Sequence, residues 1–488
     1  MSRGRLAIHG HFYQPERRDP FSGRLPAQPA AAPYHDWNAR VDAECYRPNA
    51  ERGNLERISF DLGPTLATWL ATADPEVQAR FVASDRPGSA PTADGWPTAD
   101  GWPPEIGNAM AQGYHHAILP LASLRDRRTE VRWGLRDFRL RFGRPAAGLW
   151  LPETAVDGPT LRILAEEGVR YTILAPWQAA DPSMDTRRPY RLELGGDRRL
   201  TVVFYDGDLS GLVSFDPDAT ADADRFARER VAPRLAAGPA ADGASPLAVV
   251  ATDGELYGHH QKFRDLFLEH LVRPPAGEPD RGFDIVPLAL AVQEPPGVPF
   301  PVARVRDRTS WSCHHGVLRW CAECPDAADG RWKGPLRAAM DRLAGGIDAA
   351  SDALARSLPG GPDLWAARDA YVDVVSGAEP AAAFGARWLA GSATAGDQQT
   401  FLDLLEAQRW RLAMFASDGW FWDDPVRGET KHVLLCAARA ARTVDRLAGA
   451  SLERRFVEDL RLLGSPSRRV DGATIYREAL AEVGQPAP

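Results

Sequence analysis

Five short apolar runs in the first 250 residues do most to limit what this chain can fold into. They are RLAI (Arg5 to Ile8), GLWL (Gly148 to Leu151), YTILA (Tyr171 to Ala175), LTVVFY (Leu200 to Tyr205) and PLAVVAT (Pro246 to Thr252). None shows the polar alternation of a sheet with one wet face, so each reads as a parallel strand buried on both sides. Between them lie helical stretches such as TLRILAEEG (Thr160 to Gly168), closed by a glycine at the helix C-terminus. Strand–helix alternation of this kind predicts an α/β barrel or a doubly wound sheet. From about Arg331 the pattern changes to apolar residues at three- and four-residue spacing, which predicts a helical bundle. The proline-rich stretch Gln293 to Ser312 reads as the crossover between the two parts.

In parallel α/β folds, functional groups collect where strands end. After RLAI come His9, His11, Tyr13 and Gln14; after GLWL comes Glu153. LTVVFY is followed by Asp206 and Asp208, and PLAVVAT by Asp253, Glu255, His259 and His260. Acids and imidazoles at four strand ends predict an active site. Two chemistries suit such a set. In retaining glycoside chemistry, one carboxylate attacks the anomeric carbon while the other handles the proton. In metal-assisted hydrolysis, Asp and His hold a divalent ion that activates water.

Length and composition exclude several other classes. A chain of 488 residues is expected to form at least two domains. A net charge of −8 argues against a nucleic-acid-binding surface. No run approaches the roughly 20 apolar residues of a membrane span, and the N-terminus has no signal-peptide h-region, so a cytoplasmic location is expected. Five cysteines, an odd number in a large chain, fit reduced thiols. Cys321 and Cys324 stand at C-x-x-C spacing, but with no second pair to complete a ligand set no metal or other cofactor is assigned. The tandem copy TADGWPTADGWP (Thr92 to Pro103) reads as a duplicated loop.

The segments HGHFYQP (His9 to Pro15), GYHHAILPLA (Gly113 to Ala122), GLWLPETAVD (Gly148 to Asp157) and ATDGELYGHH (Ala251 to His260) occur in this order. Together with SWSCHHGVLRW (Ser310 to Trp320) and ASDGWFWDD (Ala416 to Asp424), they resemble the conserved regions of glycoside hydrolase family 57. That resemblance implies an incomplete (β/α)7 TIM-like barrel over residues 1–300. It also implies an all-α helical C-terminal domain over 301–488 that completes the substrate cleft. The implied activity is a retaining hydrolase or transglycosylase acting on α-glucans such as glycogen or maltodextrin, with no metal.

Residue by residue, the resemblance makes Glu153 the nucleophile and Asp253 the general acid/base. It gives His9, His11, Gln14, His116 and His259 the task of gripping the sugar. Trp420 and Asp423 fall on the acceptor side, and Trp150 becomes a wall of the sugar pocket. The expected partner is an α-glucan or malto-oligosaccharide, with no nucleic acid and no membrane; the sequence leaves the oligomeric state open. Two other readings stay in view: a metal-dependent polysaccharide deacetylase-like hydrolase, and a non-catalytic α-glucan-binding protein on the same fold.

Overall fold

The computed structural model describes residues 3–85, 106–236, 245–275, 277, 279–294 and 297–486; the duplicated loop Thr92 to Pro103 lies outside them. The chain divides into two compact units. The first comprises 1–14, 27–113 and 138–311, and the second 15–26, 114–137 and 312–488. The change of unit at 311/312 lies close to the expected boundary. Two earlier segments, however, leave the N-terminal part to join the helical one.

Ten strands build the first unit: β1 (Gly4–Phe12), β2 (Ser59–Leu62), β3 (Ala109–Gln112), β4 (Leu149–Trp150), β5 (Tyr171–Leu174), β6 (Tyr190–Glu193), β7 (Arg199–Phe204), β8 (Leu247–Asp253), β9 (Phe283–Ile285) and β10 (Val302–Ala303). One sheet has the order β4-β3-β2-β1-β8, with β9 also on β1; the other runs β10-β6-β7-β5. A bridge between Gly148 and Tyr171 links β4 to β5. At the other end the Asp206 N–H, just past β7, donates to the Val249 carbonyl of β8 at 2.7 Å. Side chains from six strands, among them Ala7, Met110, Trp150, Ile173, Val203 and Val249, pack into one buried cluster. That explains why the runs lack polar alternation: residues of either parity are shielded, by this cluster or by the covering helices.

All pairings are parallel except β6 with β7. This exception escapes the periodicity argument because a short turn joins the two strands. Gly195 and Gly196 there take positive φ, and the Leu194 N–H donates to the Arg198 carbonyl at 3.1 Å, closing a hairpin. The proline-rich stretch is not a free crossover. β10 pairs with β6, and residues 305 and 309 bridge to Ala179 and Val156, so it straps across the first unit.

The second unit is helical. Its longest helices are Lys333–Ser357, Ala395–Ala413 and Gly428–Ala448, joined by Leu452–Leu460 and Gly472–Glu482. Buried inside it, Asp126 accepts from Arg368 at 2.9 Å and from Arg411 at 2.7 Å. Burial favours the neutral carboxyl, but the two guanidinium groups outweigh it and hold Asp126 below the usual carboxylate range. No described helix is long and apolar enough to cross a membrane.

Removing the shared carboxylate would take from buried Arg368 its ion-pair partner and leave Arg411 with Asp348 alone. Asp126→Ala is therefore expected to cost about 3–5 kcal/mol of stability, read as a lower denaturation midpoint in urea.

Candidate active site

Five strand ends of the first unit carry the chemistry. On β1, His9 and His11 point to the same side, two residues apart. Both are buried, and both meet Asp61 of β2: His9 Nε2 lies 3.1 Å from Asp61 Oδ1, and His11 Nδ1 lies 2.8 Å from Oδ2. His9 Nδ1 is engaged by the Ser59 hydroxyl at 3.1 Å. His9 therefore has no ring nitrogen left for a sugar, contrary to its expected grip; it acts by fixing Asp61.

Burial opposes charge on both imidazoles, with opposite outcomes. In His9 burial wins over Asp61 and the pKa falls. In His11 burial is overcome by Asp61, assisted by the charges of Asp253 and Glu255, and the pKa rises to about 9. Asp61, despite complete burial, is held below its ordinary value by His11 and His9. The trio is thus an ion pair between Asp61 and His11, braced by a neutral His9.

Trp150, at the end of β4, lies against both imidazoles, with ring centroids 4.8 Å from His9 and 5.2 Å from His11. The indole has no exposed surface, so it is a platform for the histidines where a wall of the sugar pocket was expected. Three residues on, Glu153 and Thr154 take left-handed backbone conformations, φ 55° and 46°. For non-glycine residues this costs of order 1–3 kcal/mol each and persists only where neighbours enforce it. Trp311, on the strap, does so from one side: its backbone N–H donates to the Glu153 carbonyl at 3.1 Å and its Nε1–H to Glu153 Oε2 at 3.1 Å. Gln178 holds the other side, its Nε2 donating to the Thr154 carbonyl at 2.9 Å.

Asp253 ends β8, opposite His11 in the parallel register. Burial raises its pKa, the His11 cation lowers it, Asp61 raises it, and the net direction is up. Two residues on, Glu255 is buried and pushed up to about 7, first by burial and then by Asp253. Its Oε1 accepts from the Tyr46 hydroxyl at 2.5 Å and from the Tyr13 N–H at 3.2 Å. Gln14 hydrogen-bonds to that same tyrosine hydroxyl.

Glu153 and Asp253 meet around shared rings. Trp311 binds Glu153, packs edge-on to Trp150 at 5.0 Å and to His11 at 6.2 Å, and His11 faces Asp253. Tyr205, at the end of β7, packs edge-on to Trp311 at 6.4 Å and feels the charge of Asp253. Asp206, an expected site acid, instead caps the helix Gly207–Phe215 through the Leu209 N–H and pairs with Arg234. His259 pairs with Glu44 at 2.6 Å and stands edge-on to Trp37.

Three expected site residues belong to the second unit. His116 Nδ1 engages the Ser417 hydroxyl at 2.7 Å; Trp420 is buried and stacked with Phe415; the Asp423 carbonyl accepts from Trp332 Nε1 at 3.1 Å.

Several site residues were passed over in the sequence. Asp61 is the penultimate residue of a four-residue strand too short to stand out, and Trp311 sits in a proline-rich stretch read as a crossover. Gln112 ends β3, and both its amide atoms are buried without a partner. Trp177, 42% exposed and edge-on to Tyr205 at 5.9 Å, was not singled out at all. Among the described residues, the one group of three or more His, Cys, Asp or Glu side chains gathered closely enough for a metal is Cys313, His315, Cys324 and Asp326, in the second unit.

Residues 107–276, which hold both β4 and β8, match the family described as Glycosyl hydrolase family 57. Over that stretch the chain is similar to glycosyl hydrolase family 57. Residues 329–483 match a domain of unknown function, DUF3536. No curated protein sequence matches the chain at a significant level. Among solved structures, it resembles an exo-type maltose-forming amylase from Pyrococcus sp. ST04 at 15% identity and TM-score 0.67, covering 98% of this chain and 88% of that one. A branching enzyme from Pyrococcus horikoshii is similar at 15% identity and TM-score 0.59, covering 98% and 94%. An α-amylase from Thermotoga maritima is similar at 13% identity and TM-score 0.54, covering 98% and 99%. At such identities the likeness is one of fold.

The raised pKa of His11 has a consequence for stability. Its ion pair with Asp61 contributes stability that is fully present below about pH 6.5, the unfolded value, and is lost as pH rises through about 9. In Asp61→Asn the desolvation of His11 is left unopposed by that partner. NMR titration of the His11 ring should then show its midpoint falling well below that of wild type.

Proposed function

We propose that the protein cleaves or transfers α-glucosyl units of α-glucans by a retaining double displacement, with Glu153 as nucleophile and Asp253 as general acid/base. The carrying observation is the pairing of a strained, indole-clamped glutamate with an aspartate whose pKa burial raises, linked through the His11–Trp150–Trp311 cluster. The activities of the structural relatives, an amylase, a branching enzyme and a further α-amylase, support the α-glucan class.

In the first step Glu153 attacks the anomeric carbon while Asp253 gives its proton to the departing glycosidic oxygen. The second step reverses the roles. Ionised Asp253 takes a proton from water or an acceptor hydroxyl, whose oxygen displaces the glutamyl ester. Burial favours the protonated form of Asp253 that the first step needs, and the neighbouring His11 cation favours the ionised form that the second step needs. Glu255 is the less suitable acid, since its Oε1 is committed to Tyr46 and Tyr13. Trp177 offers an exposed indole face on which a glucose ring stacks. On this reading the strands β1, β2, β3, β4, β5, β7 and β8 form the incomplete seven-stranded barrel, and the free cysteines suit a cytoplasmic location.

The reading is tested by incubating the protein separately with maltoheptaose, amylose and glycogen and profiling product lengths, anomeric form and new α-1,6 linkages. Products should first appear with the anomeric configuration of the substrate; inverted products would overturn the double displacement. Glu153→Gln and Asp253→Asn should each lower turnover by about a thousand-fold or more. Asp253→Asn also removes a carboxyl whose folded-state pKa is raised, a group that destabilises the fold once ionised. Its melting temperature near neutral pH should therefore be no lower than that of wild type. Trp177→Ala should raise KM by about 5- to 30-fold with a smaller effect on kcat, as expected for loss of one stacking contact.

A further inference from the structure

We infer that Cys313, His315, Cys324 and Asp326 form a structural zinc site in the second unit. The four side chains each present a ligand atom, and these atoms all lie within 4.8 Å of one another. Three of the six separations lie close to the edges of a zinc tetrahedron. With Zn–S about 2.3 Å and Zn–N or Zn–O about 2.0–2.1 Å, S···S is about 3.8 Å, S···N about 3.6 Å and N···O about 3.3 Å. Here Cys313 Sγ and Cys324 Sγ are 3.5 Å apart, Cys324 Sγ and His315 Nδ1 3.7 Å, and His315 Nδ1 and Asp326 Oδ2 3.3 Å.

Independent features favour two thiolates at this place. The backbone N–H groups of His315 and Arg319 donate to Cys313 and partly offset the burial that raises its thiol. Gly316, at φ 80°, lets the chain turn directly after His315. Lys333 has no exposed surface and its ammonium has no hydrogen-bond partner, yet it lies within electrostatic reach of Asp423, Cys324 and Cys313. A buried ammonium is costly unless a negative charge compensates it. Two thiolates and one carboxylate around Zn2+ carry a net charge of −1, which supplies that compensation.

Loading zinc releases two protons, one from each thiol, and forms two Zn–S bonds beside the bonds to His315 and Asp326. The mixed sulfur, nitrogen and oxygen set suits zinc and does not suit calcium or magnesium, which take oxygen ligands. Four protein ligands leave no open position, so the ion's task is structural.

The ligand set does not follow the C-x-x-C spacing. Cys321 turns away, its thiol directed to the Val317 carbonyl at 3.6 Å, and Cys313 takes the place beside Cys324. Fixing this loop fixes what it carries. Arg319 lies over the Phe421 ring at 4.8 Å and donates to the Phe421 carbonyl at 3.3 Å, and Trp332 donates to the Asp423 carbonyl. The ion thus anchors the segment around Trp420 and Asp423.

The test uses the full chain, purified under reducing conditions on a tag that binds no metal, with elemental analysis by mass spectrometry. About one zinc per chain is expected in wild type and in Cys321→Ser, with at least a ten-fold lower content in Cys313→Ser and Cys324→Ser. Since those variants can lose zinc by unfolding, cobalt exchanged into wild type gives a second readout. Intense tetrahedral d–d bands with a thiolate-to-cobalt charge-transfer band are expected. Three results would overturn the assignment: wild type that neither holds zinc nor takes up zinc or cobalt; equal loss in Cys321→Ser and Cys313→Ser; or a Cys313–Cys324 disulfide in freshly purified, unreduced protein.

Discussion

Asp61, a carboxylate with no exposed surface, holds His9 with one oxygen and His11 with the other, and the first unit is arranged around that grip. An isolated charge so deeply buried is not tolerated, so a cation has to stand beside it. That cation is His11, on the strand that pairs with β2, β8 and β9 alike. The same imidazolium limits the rise of Asp253, rests on Trp150 and meets the edge of Trp311, which clamps Glu153. Ion pair, platform and clamp together set the charge on one carboxylate and the position of the other.

The legible part of this arrangement is whatever a strand announces with a long apolar run. Glu153 and Asp253 follow such runs directly, and both are where the runs predict, at the ends of β4 and β8. The strands β2 and β3 have four residues each and carry Asp61 and Gln112 at or next to their ends; four residues give periodicity too little to act on. Charge state was less legible still. His9 and His11 look equivalent in HGH, but burial prevails over Asp61 at His9, whereas Asp61, Asp253 and Glu255 together overcome it at His11.

The strap teaches a related lesson. Proline-rich sequence reads as linker because proline cannot donate to a ladder, yet between its prolines this stretch pairs with β6 and bridges to Ala179 and Val156. Its last residue in the first unit, Trp311, supplies both a backbone and a side-chain bond to Glu153. Left-handed backbone at two consecutive non-glycine residues has no local sequence signature. It is imposed from outside, by Trp311 and Gln178.

The path of the chain between its two units bears on how the protein is made and dissected. Residues 15–26 and 114–137 are threaded into the helical unit before most of that unit has been synthesised. On the ribosome, Asp126 emerges more than two hundred residues ahead of Arg368 and Arg411, its permanent counter-ions. The first unit therefore cannot be excised with one cut near residue 311 without stranding two segments that belong elsewhere. Folding of the helical unit waits on the last third of the chain, and genetic fragments that respect the boundaries of the matched family domain will not coincide with pieces that fold.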